Sequence, residues 1–596
     1  MPVWMRRVVR SWGNKSMSRI MSRSAYSYRA RQVATAFFAS AALVPQVAAQ
    51  NYDAGTAARE GEQAQKYAPQ PQRGGVLDLP QLVEPQLNMP QGEKLHIRTI
   101  AVSGGDDLVP SQSVRALLKP YEGRRLSLAQ IYEVADKITA LYREAGYLVA
   151  KVYVPEQDAR GGTLNLKLVP GRYGRVTVNN ASLIRDHVID GILVQQGVTE
   201  GPLIEKNGLE RAMLLISDLS GAGMPRSVMG AGRAQGTSDF QFEVPEGRRF
   251  DGFVLEDNFG TPYTGRWRTM AGINANSLLG LGDRLSVFGM ISENTDLMNG
   301  RVAYSVPIGY DGLRAEAAVY RTDYALGDQF ASLDAAGTVD GISGALFYPL
   351  LRSREDTIVV SAVYNYKRLN DLVLDMSTNY RKINEGTVSI NRERVGELFG
   401  LPLVTSSNLG LTIGNVEYPD AAQLAFNKAG ADTAGDFQKI SGGITLTLAL
   451  AQKLSLVVDA RGQKSLSGNL DSSEQFGLSG IYGIRSLNEG LSGDSGWVIT
   501  PELKYALPDI YAWHHAASVF IDVGGVALEN GDYTTTQPDY LSTADIGIGY
   551  YGTYEHSPGR ALMLKAYLAH TIHESSDTQS YSRGSTVGLL QAGITF

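Results

Sequence analysis

Beyond Gly247 the helical period disappears, and the remaining stretch of about 350 residues is written in alternation. Segments of about ten residues recur between Gly-, Asn- and Asp-rich turns. In DTIVVSAVYNYK one face carries Ile358, Val360, Ala362, Tyr364 and Tyr366, and the other Thr357, Ser361, Asn365 and Lys367. In ALMLKAYLAH, Leu562, Leu564, Ala566 and Leu568 share a face, while Lys565 and His570 fit the opposite one imperfectly. TVGLLQAGITF places Leu590, Ala592, Ile594 and Phe596 together. Side chains alternate across a strand, so each segment has one apolar and one polar side. Strands of this kind that close on themselves can put the apolar side in lipid and the polar side in a lumen, and closure leaves no unpaired edge. At roughly 22 residues per strand and loop, the region holds about 16 strands. A soluble β-solenoid would show a fixed short period, which is absent.

The N-terminal region bears on where such a barrel would reside. Arg6, Arg7, Arg10, Lys15, Arg19, Arg23, Arg29 and Arg31 precede any acidic residue, and Val33–Val44 is an apolar run. Val47-Ala48-Ala49 then supplies small residues for cleavage, so residues 1–49 read as a secretory signal. Its removal takes the formal charge from −6 to −14. That balance gives no nucleic-acid signal, because binding a polyanion needs a basic face. The 65 Gly and 30 Tyr suit many turns and aromatic girdles, and the absence of Cys excludes disulfides and thiolate metal sites. No segment has the length and apolarity of a membrane-spanning helix.

Between signal and barrel, the pattern changes three times. Residues 50–93 combine a short helix, Asn51–Tyr67, with a Pro-rich extended linker. Residues 94–170 read as an α+β unit of order β-α-α-β-β. Ser127 caps a helix with Leu128, Ile131, Ala135, Ile138, Leu141 and Tyr142 at helical spacing, and Gly146 ends it. Strands are expected at Tyr147–Val154 and Thr163–Val169. Residues 171–246 repeat the order, with helices near Ser182–Gln195 and Glu205–Leu219 and a closing strand at Ser238–Val244. Two tandem units of about 75 residues therefore precede the barrel of residues 247–596.

Four local motifs sit in this order. Gly146–Gly171 contains Pro155-Glu156-Gln157-Asp158. Glu256–Ser286 contains the tight turn Gly280–Asp283. Asp471–Gly490 reads DSSEQFGLSGIYGIRSLNEG and is followed by GDSGW. Phe520–Gly525 reads FIDVGG, a Phe-x-Asp-x-Gly strand. On these motifs and this architecture the chain resembles the two-partner secretion transporters of the haemolysin and filamentous-haemagglutinin type, whose paired periplasmic units are polypeptide-transport-associated (POTRA) domains. The resemblance implies a monomeric outer-membrane pore, with its POTRA units in the periplasm, that exports one large partner protein. It implies a plug helix at Asn51–Tyr67 and a loop after the eleventh strand that folds into the pore.

A lumenal Arg is costly to desolvate unless paired. Arg485 on the loop and Asp522 on an inward strand position are the expected pair, with Phe520 and Gly524 on the same strand face. Gly483 allows the tight tip. The tip reads Gly483-Ile484-Arg485-Ser486-Leu487, where the family usually has Val-Arg-Gly-Tyr/Phe after its glycine. The Arg is kept; the second Gly and the aromatic are not. Partner recognition is expected by strand addition at POTRA sheet edges, through Tyr147, Val149, Lys151 and Tyr153 or through Asp239, Gln241 and Glu243.

Enzyme-like fragments carry little weight. Gly493-Asp494-Ser495-Gly496 imitates a nucleophile loop, but no suitable His accompanies it. Gly547–Gly552 matches GxGxxG inside a strand pattern with no helix after it. His514-His515 lacks a third ligand, so no catalytic residue, metal or cofactor is expected. Two other functions stay open at this stage: a barrel-assembly factor of the same superfamily, and a porin or uptake receptor. The exported partner is equally open among adhesin, haemolysin, toxin and haem-binding protein.

Overall fold

The computed structural model describes residues 52–69, 79, 94–105, 108–487, 490–533, 539–557, 559–575 and 586–596. The expected signal, residues 1–49, lies outside them, as does most of the linker. The first element, helix α1, is Ala54–Lys66; Asp53 caps it by accepting a hydrogen bond from Thr56 N at 2.9 Å.

The first α+β unit has strands β1 (Leu95–Ile97), β2 (Thr99–Ser103), β3 (Arg124–Leu126), β4 (Lys151–Tyr153) and β5 (Thr163–Val169). Helices α2 (Ser111–Leu118) and α3 (Leu128–Glu144) complete it. Ser127 and Gln130 form a reciprocal capping box at the start of α3. Gly146, at φ +104°, reverses the chain after it. The sheet order is β2-β5-β4, with β5 parallel to β2 and antiparallel to β4. Ile131, Val134 and Ile138 of α3 pack on Leu164, Leu166 and Leu168 of β5.

The expected strand Tyr147–Val154 is shorter than the alternation suggested. Only Lys151–Tyr153 pairs. Tyr147 N donates to Tyr142 O and Ala150 N to Tyr147 O, which closes a turn. Leu148 and Val149 instead pack on the core of the second unit, and Tyr147 bridges to Glu205 there. The apolar residues at 147–150 thus join two units rather than extend a strand.

The second unit contains β6 (Arg172–Asn180), α4 (Asp186–Gln195), α5 (Lys206–Asp218), β7 (Arg226–Ala231) and β8 (Thr237–Val244). Its order is β6-β8-β7. The closing strand is therefore central, which corrects the expectation that Asp239, Gln241 and Glu243 lie on an edge. β8 inserts parallel to β6 while pairing antiparallel with β7, so both sides of its backbone are engaged. The free edges are β6 and β7.

Sixteen antiparallel strands then close into a barrel. They are β9 (Phe250–Asp257), β10 (Arg268–Asn276), β11 (Arg284–Ser292), β12 (Leu297–Pro307), β13 (Arg314–Ala325), β14 (Ala335–Arg352), β15 (Asp356–Val373) and β16 (Met376–Leu398). β17 (Leu401–Glu417), β18 (Gly435–Ala451) and β19 (Leu454–Ser465) follow. After a loop holding the two-residue strands β20 (Phe476–Gly477) and β21 (Ser492–Gly493), the wall resumes. It continues with β22 (Ser495–Ala506), β23 (Trp513–Ala527), β24 (Tyr540–Ser557), β25 (Arg560–Glu574) and β26 (Thr586–Thr595). β26 pairs with β9 from Thr595↔Phe253 to Gln591↔Asp257, and Phe596 and Gly252 exchange two backbone hydrogen bonds.

The alternation fixes the faces. On β15, Ser361 and Lys367 are buried toward the lumen, while Ala362 and Tyr364 are exposed on the outside. The second unit sits against the short turns at one barrel end. Arg352 donates to both oxygens of Asp218 at 2.8 and 3.0 Å, and Arg211 donates to Pro349 O at 3.0 Å.

Candidate functional site

Among the described residues, the lumen holds two things besides wall side chains: α1, and the loop between β19 and β22. The apolar side of α1, Ala54, Ala57, Ala58 and Ala64, joins Phe288, Leu297, Tyr324 and Leu369 of the wall in one core. Gly55 and Gly61 permit this seat. A Cβ on Gly55 would lie 2.4 Å from Ser473 N of the loop. A Cβ on Gly61 would lie 2.5 Å from Asn299 Nδ2 of β12.

Buried charge needs partners, and here the partners come from different parts of the chain. Arg381 of β16 is fully buried. Its Nη1 donates to Asp371 of β15 at 2.7 Å, its Nη2 to Asp53, the N-cap of α1, at 2.9 Å, and its Nε to Asp471 of the loop. Ser472 Oγ donates to Asp53 at 2.5 Å, and Ala54 N to Asp371 at 2.7 Å. Lys367 of β15 holds Glu474 of the loop and lies 3.4 Å from Glu385. Lys439 of β18 reaches Glu474 at 2.8 Å. On the opposite side of α1, Glu60 meets Arg268 of β10 at 2.8 Å, and Arg268 also bonds Asp257 at 3.0 Å. Arg59 donates to Ser472 O at 2.6 Å. Tyr67 stacks on Tyr482 of the loop with ring centroids 3.9 Å apart. Helix and loop are thus tied to the wall and to each other.

The expected loop residues lie deeper along β23. Phe520, Asp522 and Gly524 occupy successive inward positions, as a two-residue period requires. Arg485 Nε lies 3.6 Å from Asp522 Oδ2, and Arg485 N donates to that oxygen at 3.3 Å. Glu502 is 3.8 Å from Arg485 Nη2. The guanidinium centre lies 3.8 Å from the Phe520 ring centroid and 4.9 Å from that of Tyr567, two rings that meet edge to face, so both give cation–π contacts. Thr500 Oγ1 donates to the other Asp522 oxygen at 2.7 Å. Gly524 lets Leu478 approach: a Cβ there would lie 2.6 Å from Leu478 Cδ1. Gly483 matters for the same reason, because its Cβ would lie 1.8 Å from Leu478 O.

The two tip positions that depart from the family pattern are both filled. Ser486 N donates to Asp545 at 2.7 Å, and its hydroxyl accepts from Thr571 at 2.8 Å. Leu487 and Ile484 pack with Leu478, Leu491, Val498, Val526 and Leu541. The structure brings Arg485 and Asp522 together. It leaves the candidate edge residues elsewhere: Lys151 and Tyr153 on the β4 edge, Tyr147 and Val149 at the junction of the units, and Asp239, Gln241 and Glu243 on the central β8.

Sequence reading gave no role to Asp53 and Glu60 of the expected helix, to Arg268 of the quoted Glu256–Ser286 motif, or to Arg381. Arg381 had a usable signal, a cation on the lumenal parity of a strand pattern. Asp471 and Glu474 were inside a quoted motif without a role.

Comparisons agree with this architecture. Residues 95–171 match the ShlB-type POTRA domain, and residues 236–550 match the haemolysin secretion/activation protein family ShlB/FhaC/HecB. The heme/hemopexin transporter protein HuxB of Haemophilus influenzae is 27% identical over 507 residues, covering 84% of this chain and 88% of HuxB. The outer membrane transporter CdiB of Escherichia coli O6:K15:H31 is 24% identical over 435 residues, 70% of each chain. The solved structure of CdiB from Escherichia coli superposes with a TM-score of 0.71 at 18% identity, covering 92% of this chain and 99% of CdiB.

Fold and matches together define an outer-membrane β-barrel transporter with periplasmic POTRA domains. The chain belongs to the ShlB/FhaC/HecB family, the transporter half of two-partner secretion.

Proposed function

We propose that the barrel exports one large partner protein from periplasm to cell surface, acting as a monomer, and that the structure captures its closed state. The observation that carries this reading is the shared anchor Arg381. It binds Asp53 beside the plug helix and Asp471 of the inward loop, so the two obstructions in the pore are secured by one cation. The scheme assigns a cleaved leader to residues 1–49, plug and linker to 50–93, POTRA units to 94–170 and 171–246, and the pore to 247–596. POTRA edges take an extended segment of the partner by strand addition, at β4 with Lys151 and Tyr153 and at the newly found edge β7, Arg226–Ala231. Arg485, with Asp522, seats the loop tip. Engagement at the POTRA units draws α1 out, and folding of the partner outside makes transit directional.

A co-secretion assay tests this. Cells would express the chain with a candidate large exported partner protein, and the medium would be assayed for that protein. Deleting residues 94–246 should leave an inserted, heat-modifiable barrel that exports nothing. Undiminished export by the deletion would end the role given to the POTRA units.

A further inference from the structure

The lipid-facing side of the barrel carries a feature that export does not use. On β13 to β17 the Cα partners Arg321↔Asp340, Asp340↔Arg368, Arg368↔Lys382 and Lys382↔Glu417 form one row across five strands. All five point outward. Their chain neighbours Lys367, Leu369, Arg381 and Ile383 are buried on the lumenal side, and strand alternation sends the residues between them the other way.

The row sits where the apolar belt stops. Below Arg368 on the outward parity of β15 lie Tyr366, Tyr364, Ala362, Val360 and Ile358. Ten residues from Ile358 to Arg368, at about 3.3 Å each on a strand tilted about 40°, rise about 25 Å, the height of the lipid-facing band of such barrels. Above the row come Asn370 and Tyr380, paired across the same strands. The POTRA-bearing end is at the bottom of this band, so the row lies at the outer-leaflet interface.

Its charges are not balanced internally. Arg321 is satisfied: it bonds Asp323 at 2.7 and 2.9 Å and Asp340 at 3.0 Å. Arg368 and Lys382 differ. They stand directly opposite each other, and among the described residues neither charged group has a hydrogen-bond or ion-pair partner. Like charges directly opposed on a sheet repel. A dianionic group between them would turn that repulsion into a clamp, because a guanidinium fork and an ammonium both suit phosphate oxygens.

We propose that Arg368 and Lys382 bind a phosphate group of the phosphorylated glycolipid of the outer leaflet, its acyl chains lying along the apolar belt below. Tyr364 and Tyr366 lie where aromatic side chains favour the interface, and Tyr364 is held by its hydroxyl donating to Asn384.

The test uses the full chain in phosphatidylethanolamine nanodiscs, with bisphosphorylated lipid A as probe and native mass spectrometry as readout. Wild-type protein should retain lipid A, and the double variant R368Q/K382Q should bind it about tenfold more weakly. R368K and K382R, which keep the charges, should bind almost as wild type. K464Q, an outward cation already paired with Glu529, should change nothing. Enzymatically dephosphorylated lipid A should bind wild type about tenfold more weakly, a comparison that needs no variant. Equal binding of the two lipids by wild type, or undiminished binding by an assembled R368Q/K382Q, would overturn the proposal. Displacement of lipid A by millimolar inorganic phosphate would also overturn it, since it would reveal a site for the free anion.

Discussion

Replacing Asp53 by alanine should open the resting pore. Asp53 Oδ2 accepts from Arg381 Nη2 at 2.9 Å and from Ser472 Oγ at 2.5 Å, while Oδ1 caps α1 through Thr56 N. A hydrogen bond to a buried charged group contributes about 1.5–3 kcal/mol and an N-cap about 1 kcal/mol. Arg381 keeps Asp371 and Asp471 after the change, so it is not left as an unpaired buried charge. The net loss of plug retention is then about 3 kcal/mol, which raises the ratio of plug-out to plug-in states roughly a hundredfold. Planar-bilayer recordings of the purified chain read this directly as open-channel probability. Asp53→Asn provides the internal control. Asparagine caps a helix as well as aspartate does, so it removes the charge contact and keeps the cap. It should fall between wild type and Asp53→Ala. Unchanged open probability for Asp53→Ala would refute the argument that the Arg381 cluster retains the plug.

Two further outcomes follow from the lumen geometry. Because the chain has no Cys, the pair Gly61→Cys/Asn299→Cys would be its only thiols, and the ideal Cβ of residue 61 lies 3.4 Å from Asn299 Cβ, close to disulfide range. Oxidised protein should neither open in bilayers nor secrete, and reductant should restore both; secretion by the fully cross-linked form would show that α1 need not leave. Arg485→Ala leaves Asp522 buried with only neutral donors, a cost of about 3 kcal/mol borne by the loop seat rather than by the strand ladders. Heat-modifiability on gels should be unchanged while co-secretion falls at least about tenfold, and normal co-secretion would remove the loop's role.

The parts of this protein that were legible in sequence are those governed by short-range rules. A two-residue period dictates which face of a strand is apolar, so Tyr364 outward and Lys367 inward on β15 followed from their parity alone. So did the shared face of Phe520, Asp522 and Gly524. Ser127 and Gly146 marked their helix because caps act within one turn. The sixteen-strand count came from dividing length by strand-plus-loop spacing, which works when hairpins follow one another along the chain.

What sequence left undecided depends on pairing between distant segments. Strand order within the α+β units is one case: the local pattern of β8 is the same at an edge or in the centre, and only its insertion between β6 and β7 settled which backbone is free. The run at Tyr147–Ala150 is another, since apolar residues on a strand face and at a domain junction look alike. The site itself is the clearest. Arg381 and Asp53 are 328 positions apart, and Arg381 and Asp471 are 90 apart. No local preference brings them together; barrel closure does, by making inward charges from different strands, the loop and α1 share one low-dielectric interior in which each must find an opposite charge.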